Sequence, residues 1–240
     1  MRGELKKTCF ICMAIVSLLL PGAGSVAGDS GAGFLLYGVR EAGGDEAVNR
    51  LLFTQDMLRI EQQDQAGGYI LYRNDSGTIY SVTPDEKTIL VIQPKPEPQQ
   101  VPGHIKFRLD RIDDTDPPEI GGSKPQHWRL TVNGALCREA ILAPGLMTEQ
   151  LALYRDYLLL LANQHYLGLD AIPAEYRDPC DDVLHVFAPT LLLEKGLPIR
   201  VWDQRGYQQS LLDYSTEKRV GSEQFQLPKG YQQVPLSQLE

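Results

Sequence analysis

One stretch, Met147 to Gly168, restricts the fold of this chain more than any other. Leu151, Tyr154, Leu158, Leu161 and His165 recur at i, i+3, i+7, i+10 and i+14, which is one face of an α-helix. Leu153, Tyr157, Leu159 and Leu160 then carry apolar surface around most of the circumference. A helix that is apolar on nearly every side has to be buried on several sides. Gly168 gives it a stop, because glycine accepts the backbone turn that ends helices. Whatever buries this helix must come from the rest of the chain.

The rest reads mostly as short extended segments. Phe34–Arg40 and Arg50–Glu61 come first, the latter bent near Thr54-Gln55-Asp56. Tyr69–Arg73 and Thr78–Thr83 flank Asn74-Asp75-Ser76-Gly77, residues that tolerate positive φ and so favour a hairpin turn. Lys87–Gln93 follows a Pro84 turn. Strands resume at His104–Leu109, at Trp128–Leu142 with a turn at Asn133-Gly134, at Leu197–Asp203 and at Tyr207–Arg219. Such spacing favours an antiparallel meander over parallel βαβ units. Asp181–Leu193 reads as a second, shorter helix limited by Pro189, and Phe225–Tyr231 as a terminal loop or short edge segment. Four prolines at 94, 96, 98 and 102 make 93–103 a polyproline-like connector, since a central strand cannot lack so many N–H donors. There is no internal repeat and no break in composition, so residues 28–240 read as one domain.

The N-terminus carries an address. Arg2, Lys6 and Lys7 precede an apolar run from Thr8 to Leu20, broken by Pro21-Gly22 and followed by the small residues Ser25-Val26-Ala27. This is the pattern of a secretory signal peptide cut after Ala27, and the run is short for a bilayer span. The expected location is therefore the periplasm. Two cysteines, Cys137 and Cys180, remain after cleavage. In an oxidising compartment they have one intramolecular pairing, and a structural disulfide is expected. Two buried thiols or a redox pair are the alternatives, the latter without the usual C-x-x-C spacing. With 23 basic against 31 acidic residues the formal charge is −8, which argues against nucleic acid as a partner.

No catalytic signature emerges. Gly28-Asp29-Ser30-Gly31 resembles the nucleophile tetrapeptide of trypsin-like proteases, but that fold places its His and Asp earlier in the chain, where only the leader stands. Asp113, Asp114, Asp116 and Glu119 lie in an acidic loop without the EF-hand spacing. Asp181 and His185 share a helical face at i, i+4, yet no second such pair accompanies them, and His104 and His127 stand alone. His165 reads as an aromatic-rich helix end packed on the sheet. The glycine pairs 43–44, 67–68 and 121–122 read as turns. No enzyme activity, cofactor or metal is expected.

Several blocks together carry a resemblance. Met57-Leu58-Arg59-Ile60-Glu61, Tyr69-Ile70-Leu71-Tyr72-Arg73 and Thr78 through Thr88 run like the opening hairpins of a group of exported bacterial proteins. Asn133-Gly134-Ala135-Leu136-Cys137 is similar to that group's Gly-x-x-Cys strand. Gly196 to Arg200, Gln209 to Leu212, and Phe225-Gln226-Leu227-Pro228-Lys229-Gly230-Tyr231 are similar to its closing strands and tail. These proteins resemble the lipoprotein-carrier superfamily, the LolA/LolB-like fold. The Pro-rich connector and the acidic loop have no counterpart there.

The resemblance implies an α+β fold: a curved antiparallel open half-barrel with helices packed on its concave face. An apolar sheet face must be covered, and 147–168 is the natural cover. It also implies a binding or carrier role, with an acyl chain or lipoprotein sheltered against Leu151, Tyr154, Leu158 and Leu161. Arg59 would meet an acidic headgroup, or simply pair with a surface carboxylate. The alternative is an envelope interaction or assembly factor whose cavity is filled by its own helix and whose partner is another envelope protein.

Overall fold

The structure, a computed structural model, describes residues 30–63, 67–94, 100–114, 116–173 and 176–238. The signal-peptide reading at 1–27, the Gly28-Asp29 half of the protease-like tetrapeptide and the centre of the Pro-rich connector (95–99) lie outside the described residues. Six strands come first: β1 (Ser30–Arg40), β2 (Glu46–Phe53), β3 (Met57–Gln62), β4 (Tyr69–Arg73), β5 (Thr78–Thr83) and β6 (Thr88–Ile92). Three more, β7 (Phe107–Ile112), β8 (Gln126–Val132) and β9 (Ala135–Ala143), lead into α1 (Thr148–Gly168) and the single-turn α2 (Pro179–Asp182). The chain closes with β10 (Leu197–Trp202), β11 (Gln208–Val220) and β12 (Gln232–Pro235).

The twelve strands among the described residues form one open sheet in the order β12-β6-β5-β4-β3-β2-β1-β11-β10-β9-β8-β7. It is two meanders joined where β11 pairs with β1, from Ser30 opposite Val220 to Arg40 opposite Gln208. Every pairing is antiparallel except β12 on β6. Register shifts mark bulges in β9, β10 and β11, each adding twist and bend to the sheet. The fold is the expected α+β arrangement: a curved, unclosed sheet with helical segments packed on one face.

Strand alternation decides which residues meet those segments. Leu35, Tyr37, Leu51, Phe53, Leu58 and Tyr72 point to the inner face and pack against Met147, Leu151, Leu153, Tyr157 and Leu160 of the α1 region. Tyr72 and Tyr157 meet edge to face with ring centroids 6.0 Å apart. Each of these buried side chains contributes about 1.5–3 kcal/mol of hydrophobic stabilisation. The intervening residues Phe34, Leu52 and Leu71 point outward, where Phe225 and Leu227 of the C-terminal segment cover them. The first half of the sheet is thus buried on both faces.

Several boundaries differ from the sequence reading. Arg50–Glu61 is two strands rather than one bent strand, because the Thr54 hydroxyl accepts from the Met57 N–H (3.0 Å) and closes a turn. The segment expected as a helix over Asp181–Leu193 starts earlier and stops sooner. Pro179 opens α2, and the Asp178 carboxylate caps it by accepting from the Cys180 N–H at 2.7 Å. A wide turn at Val183–Phe187 follows, then irregular turns past Pro189. The strand expected at His104–Leu109 runs instead over Phe107–Ile112. The edge segment expected within Phe225–Tyr231 is displaced. Ser222–Phe225 is a short 3-10 turn that anchors Phe225, and the edge strand is β12, which takes up the free edge of β6 in parallel. The Asn133-Gly134 turn is as expected, with φ of 51° and 82°, the positive pair that a two-residue hairpin demands.

Candidate functional site

A disulfide between Cys137 and Cys180 joins β9 to α2, with Cα atoms 5.5 Å apart. It fastens the 178–193 segment over the second half of the inner face, where Ile105, Leu130, Val132 and Val183 form a small core. Between this segment, α1 and strands β9 to β11 the packing leaves an open cavity of about 650 Å³. That is within the usual size of a small-molecule site, about 300–1,000 Å³.

Its walls are mostly apolar. Tyr154 and Leu158 come from α1; Leu184, Pro189, Leu192 and Leu193 come from the disulfide-tied segment; Pro198 and Val201 come from β10. Tyr154 and Tyr157 stack in nearly parallel planes. Burial raises the Tyr154 hydroxyl far above its ordinary value and the Tyr157 hydroxyl to about 12, so both remain neutral proton donors.

Polar groups gather at one end: Arg138, Asp203, Arg205, Asp181 and His185. A β-bulge sets Cys137 on the same face as Arg138. Leu130 pairs with Arg138 and Thr131 with Leu136, so Cys137 is the extra residue in β9. The bulge lets neighbouring side chains both turn inward, Cys137 to its disulfide and Arg138 into the cavity, where it is only 6% exposed. Its guanidinium lies over the Tyr207 ring at 4.2 Å. Asp203 is the opposing charge, but its Oδ1 accepts three backbone N–H groups, from Arg205, Gly206 and Tyr207 at 2.8–3.0 Å. Its Oδ2 stands 3.6 Å from Arg138 and 3.6 Å from Arg205. Arg205 bridges the rim, donating to Asp178 at 2.7 Å and to Asp181 at 2.8 Å. Burial lowers the His185 pKa below 6.5, partly offset by the nearby Asp181 carboxylate, so His185 is neutral at neutral pH.

The five residues expected to bind ligand do not form one site. Tyr154 and Leu158 line the cavity. Leu151 and Leu161 face the main core instead, packed among β-strand side chains. Arg59 is on the opposite face of the sheet, two strands from β1. There it donates to Glu61 at 2.5 Å and to the Gln224 carbonyl at 2.7 Å, and lies 3.4 Å over the Tyr69 ring. It clasps the C-terminal segment, and of its two readings the pairing with a carboxylate describes these contacts.

Other sequence candidates separate in the same way. Asp181 and His185 do share the cavity mouth. His127 sits on the outer face between Asp114 (2.7 Å) and Glu139 (3.5 Å), stacked on Trp202. The acidic loop therefore spends Asp114 on His127 and Asp116 on Lys124 (2.7 Å). Asp178, Cys180 and Asp181 come within 4.8 Å of one another. The Cys180 sulfur is consumed by the disulfide and both carboxylates by Arg205, so this trio does not suit a metal. Arg138, Asp203, Arg205 and Tyr207 escaped the sequence reading. One signal was there: strand alternation puts Arg138 in line with Ala140 and Leu142, a charge on an apolar face.

The sequence matches no protein-family model and no curated protein. Among solved structures, the chain is similar to an uncharacterized conserved protein from Thermus thermophilus, with a TM-score of 0.43 and 10% identity over 86% of this chain and 91% of that one. It is similar to PNGF-II, with a TM-score of 0.42 and 7% identity over 88% of this chain and 32% of that one. It is similar to MucB, with a TM-score of 0.38 and 12% identity over 86% of this chain and 60% of that one. Likenesses this distant carry no information about function.

Proposed function

We propose that this is an exported binding or carrier protein that shelters an apolar ligand, such as an acyl chain, in the cavity beside α1. The observation that carries the reading is the cavity itself: about 650 Å³, open, and walled by Leu158, Leu184, Leu192, Leu193 and Val201. An apolar hollow of that size is costly to leave hydrated, and filling it with a hydrocarbon chain removes apolar surface from water at about 25 cal/mol per Å². The blockwise sequence resemblance to the lipoprotein-carrier superfamily agrees with it. No enzyme chemistry is proposed: among the described residues the cavity lining holds no serine, threonine or free cysteine beside His185 and Asp181.

Native mass spectrometry and lipid extraction of the protein purified from the periplasmic fraction test the reading. Bound acyl ligand is expected, and a Leu158→Trp variant, which fills the hollow, should lose it while melting like the parent. Absence of any co-purifying lipid, together with no uptake of a fluorescent fatty acid in vitro, would refute the reading. A second reading, a protein-interaction factor, is favoured by one feature: Leu159, Leu167, Ile172 and Tyr176 expose apolar surface along and just after α1. Under that reading, replacing Leu159 and Leu167 by serine abolishes partner capture and leaves acyl binding intact.

A further inference from the structure

The cavity has an apolar body and a buried cationic end, and that asymmetry specifies a ligand. Arg138 is always charged, and burying an unpaired charge is expensive. Its Nε is buried without a hydrogen-bond partner among the described residues. Among the described residues the nearest carboxylate oxygen, of Asp203, is 3.6 Å away, which is beyond hydrogen-bond reach. Asp203 cannot simply swing closer, because its other oxygen holds the 203–207 turn through three N–H groups. Asp203 therefore balances the charge of Arg138 through space and leaves its Nε unpaired among the described residues. Three other acids stand near this end: Asp178 and Asp181, each more than two-fifths exposed and bound to Arg205, and Glu41, exposed to solvent on the cavity rim.

We propose that Arg138 receives the oxyanion head of an amphipathic ligand, a carboxylate or a phosphate monoester, whose hydrocarbon tail lies against Leu158, Leu184 and Leu193. This rests on the reading of the cavity as an acyl-chain site and adds the chemistry of the head. A guanidinium forms parallel N–H···O bonds to both oxyanions. Tyr154 lines the same space and offers a neutral hydroxyl to the head. The bulge at Cys137 builds the site into the sheet, and the disulfide at the same residue closes the wall beside it.

The test compares decanoate, decyl phosphate and decanol, which share a tail and differ in head, by displacement of a fluorescent fatty acid from the parent protein, Arg138→Met and Arg138→Lys. Hydrogen bonds to a charged group set the expectation: at least one anionic ligand binds the parent about tenfold or more tighter than decanol. That advantage, read as the ratio of anion to decanol affinity within each protein, should vanish in Arg138→Met and persist in part in Arg138→Lys. Whichever of the two anions binds tighter identifies the source of the head. Equal binding of decanol and both anions by the parent overturns the proposal but leaves the cavity reading standing, as does an anionic advantage that survives in Arg138→Met. Failure of all three to bind overturns the cavity reading itself. Should Arg138→Met not fold, the head series on the parent and on Arg138→Lys still decides.

Discussion

Removing the disulfide gives the most direct measure of how the cavity wall is held. Cys137 and Cys180 are 43 residues apart in sequence. In the chain-entropy description, closing a loop of that length removes roughly 13 cal/mol/K from the unfolded chain, or about 4 kcal/mol at 25 °C. The variant Cys137→Ala/Cys180→Ala should lose that much in urea unfolding, with a melting temperature lower by roughly 8–16 °C for a chain of this size. Reducing the parent with dithiothreitol should reproduce the loss to within about 1 kcal/mol, since both perturbations act on the same loop. A loss below about 1 kcal/mol in both would refute the reasoning. It would mean that the unfolded chain is already restrained, or that Val183 in its small core and the Arg205 ion pairs hold the wall unaided.

Three further outcomes follow from the contacts. Phe225→Ala, at a side chain 3% exposed on the outer face, should cost about 3 kcal/mol and expose the tail after Gly221 to proteolysis; a melt unchanged within a degree would contradict its anchoring role. Stability should fall with acid in two windows. Burial lowers the His185 pKa beneath 6.5, so its contribution is complete above that pH and is lost as pH drops through the folded value; His185→Gln should flatten this step in the urea midpoint. Burial alone would raise the Glu61 pKa, but hydrogen bonds from Arg59 and Arg50 outweigh it, so the pKa lies below 4.5; the lower step appears beneath that pH and should be absent in Glu61→Gln. Hydrogen exchange after reduction should accelerate in 179–193 and not in α1, and equal acceleration in both would show that the two move as one unit.

The frame was legible because it rests on local signals. The 3.6-residue rhythm of Leu151, Tyr154 and Leu158 located α1, and the Asn-Gly and Asn-Asp-Ser-Gly turns located two hairpins. Arg59 was half legible: Leu58 and Ile60 on either side of it mark the inner face, so Arg59 had to point outward, although only the fold shows Gln224 waiting there. The cavity end was not legible, for two physical reasons. A single extra residue turns Cys137 onto the face that Arg138 shares with Ala140 and Leu142, and bulges have no strong sequence mark. Asp203 and Tyr207 meet Arg138 only through pairings that span the chain. β12 was hidden for a third reason. Gln232–Pro235 is polar and ends in proline, so it has no strand signal of its own and is ordered by the free edge of β6.

Under the proposed binding role, the geometry also indicates which wall would yield to a ligand. A helix that covers a sheet face is one candidate for the part that moves. Here α1 buries Leu151, Leu153, Tyr157 and Leu160 in the main core. Lifting it would expose those four side chains at about 1.5–3 kcal/mol each, together with the strand residues beneath them. That sum is comparable to the whole stability of an ordinary domain, about 5–15 kcal/mol, so α1 cannot act as a door. The segment from Cys180 to Leu193 is different. It inserts Val183, Val186 and Leu193, and it is tied covalently at its first residue alone. Its exposed face meets the 203–207 turn through Arg205, whose partners Asp178 and Asp181 are nearly half exposed. Exposed pairs of that kind are worth at most about 1 kcal/mol each. The weakest seam of the cavity is therefore the one between His185 and Arg205, beside the buried guanidinium, and a ligand that enters there reaches the apolar walls by passing Arg138.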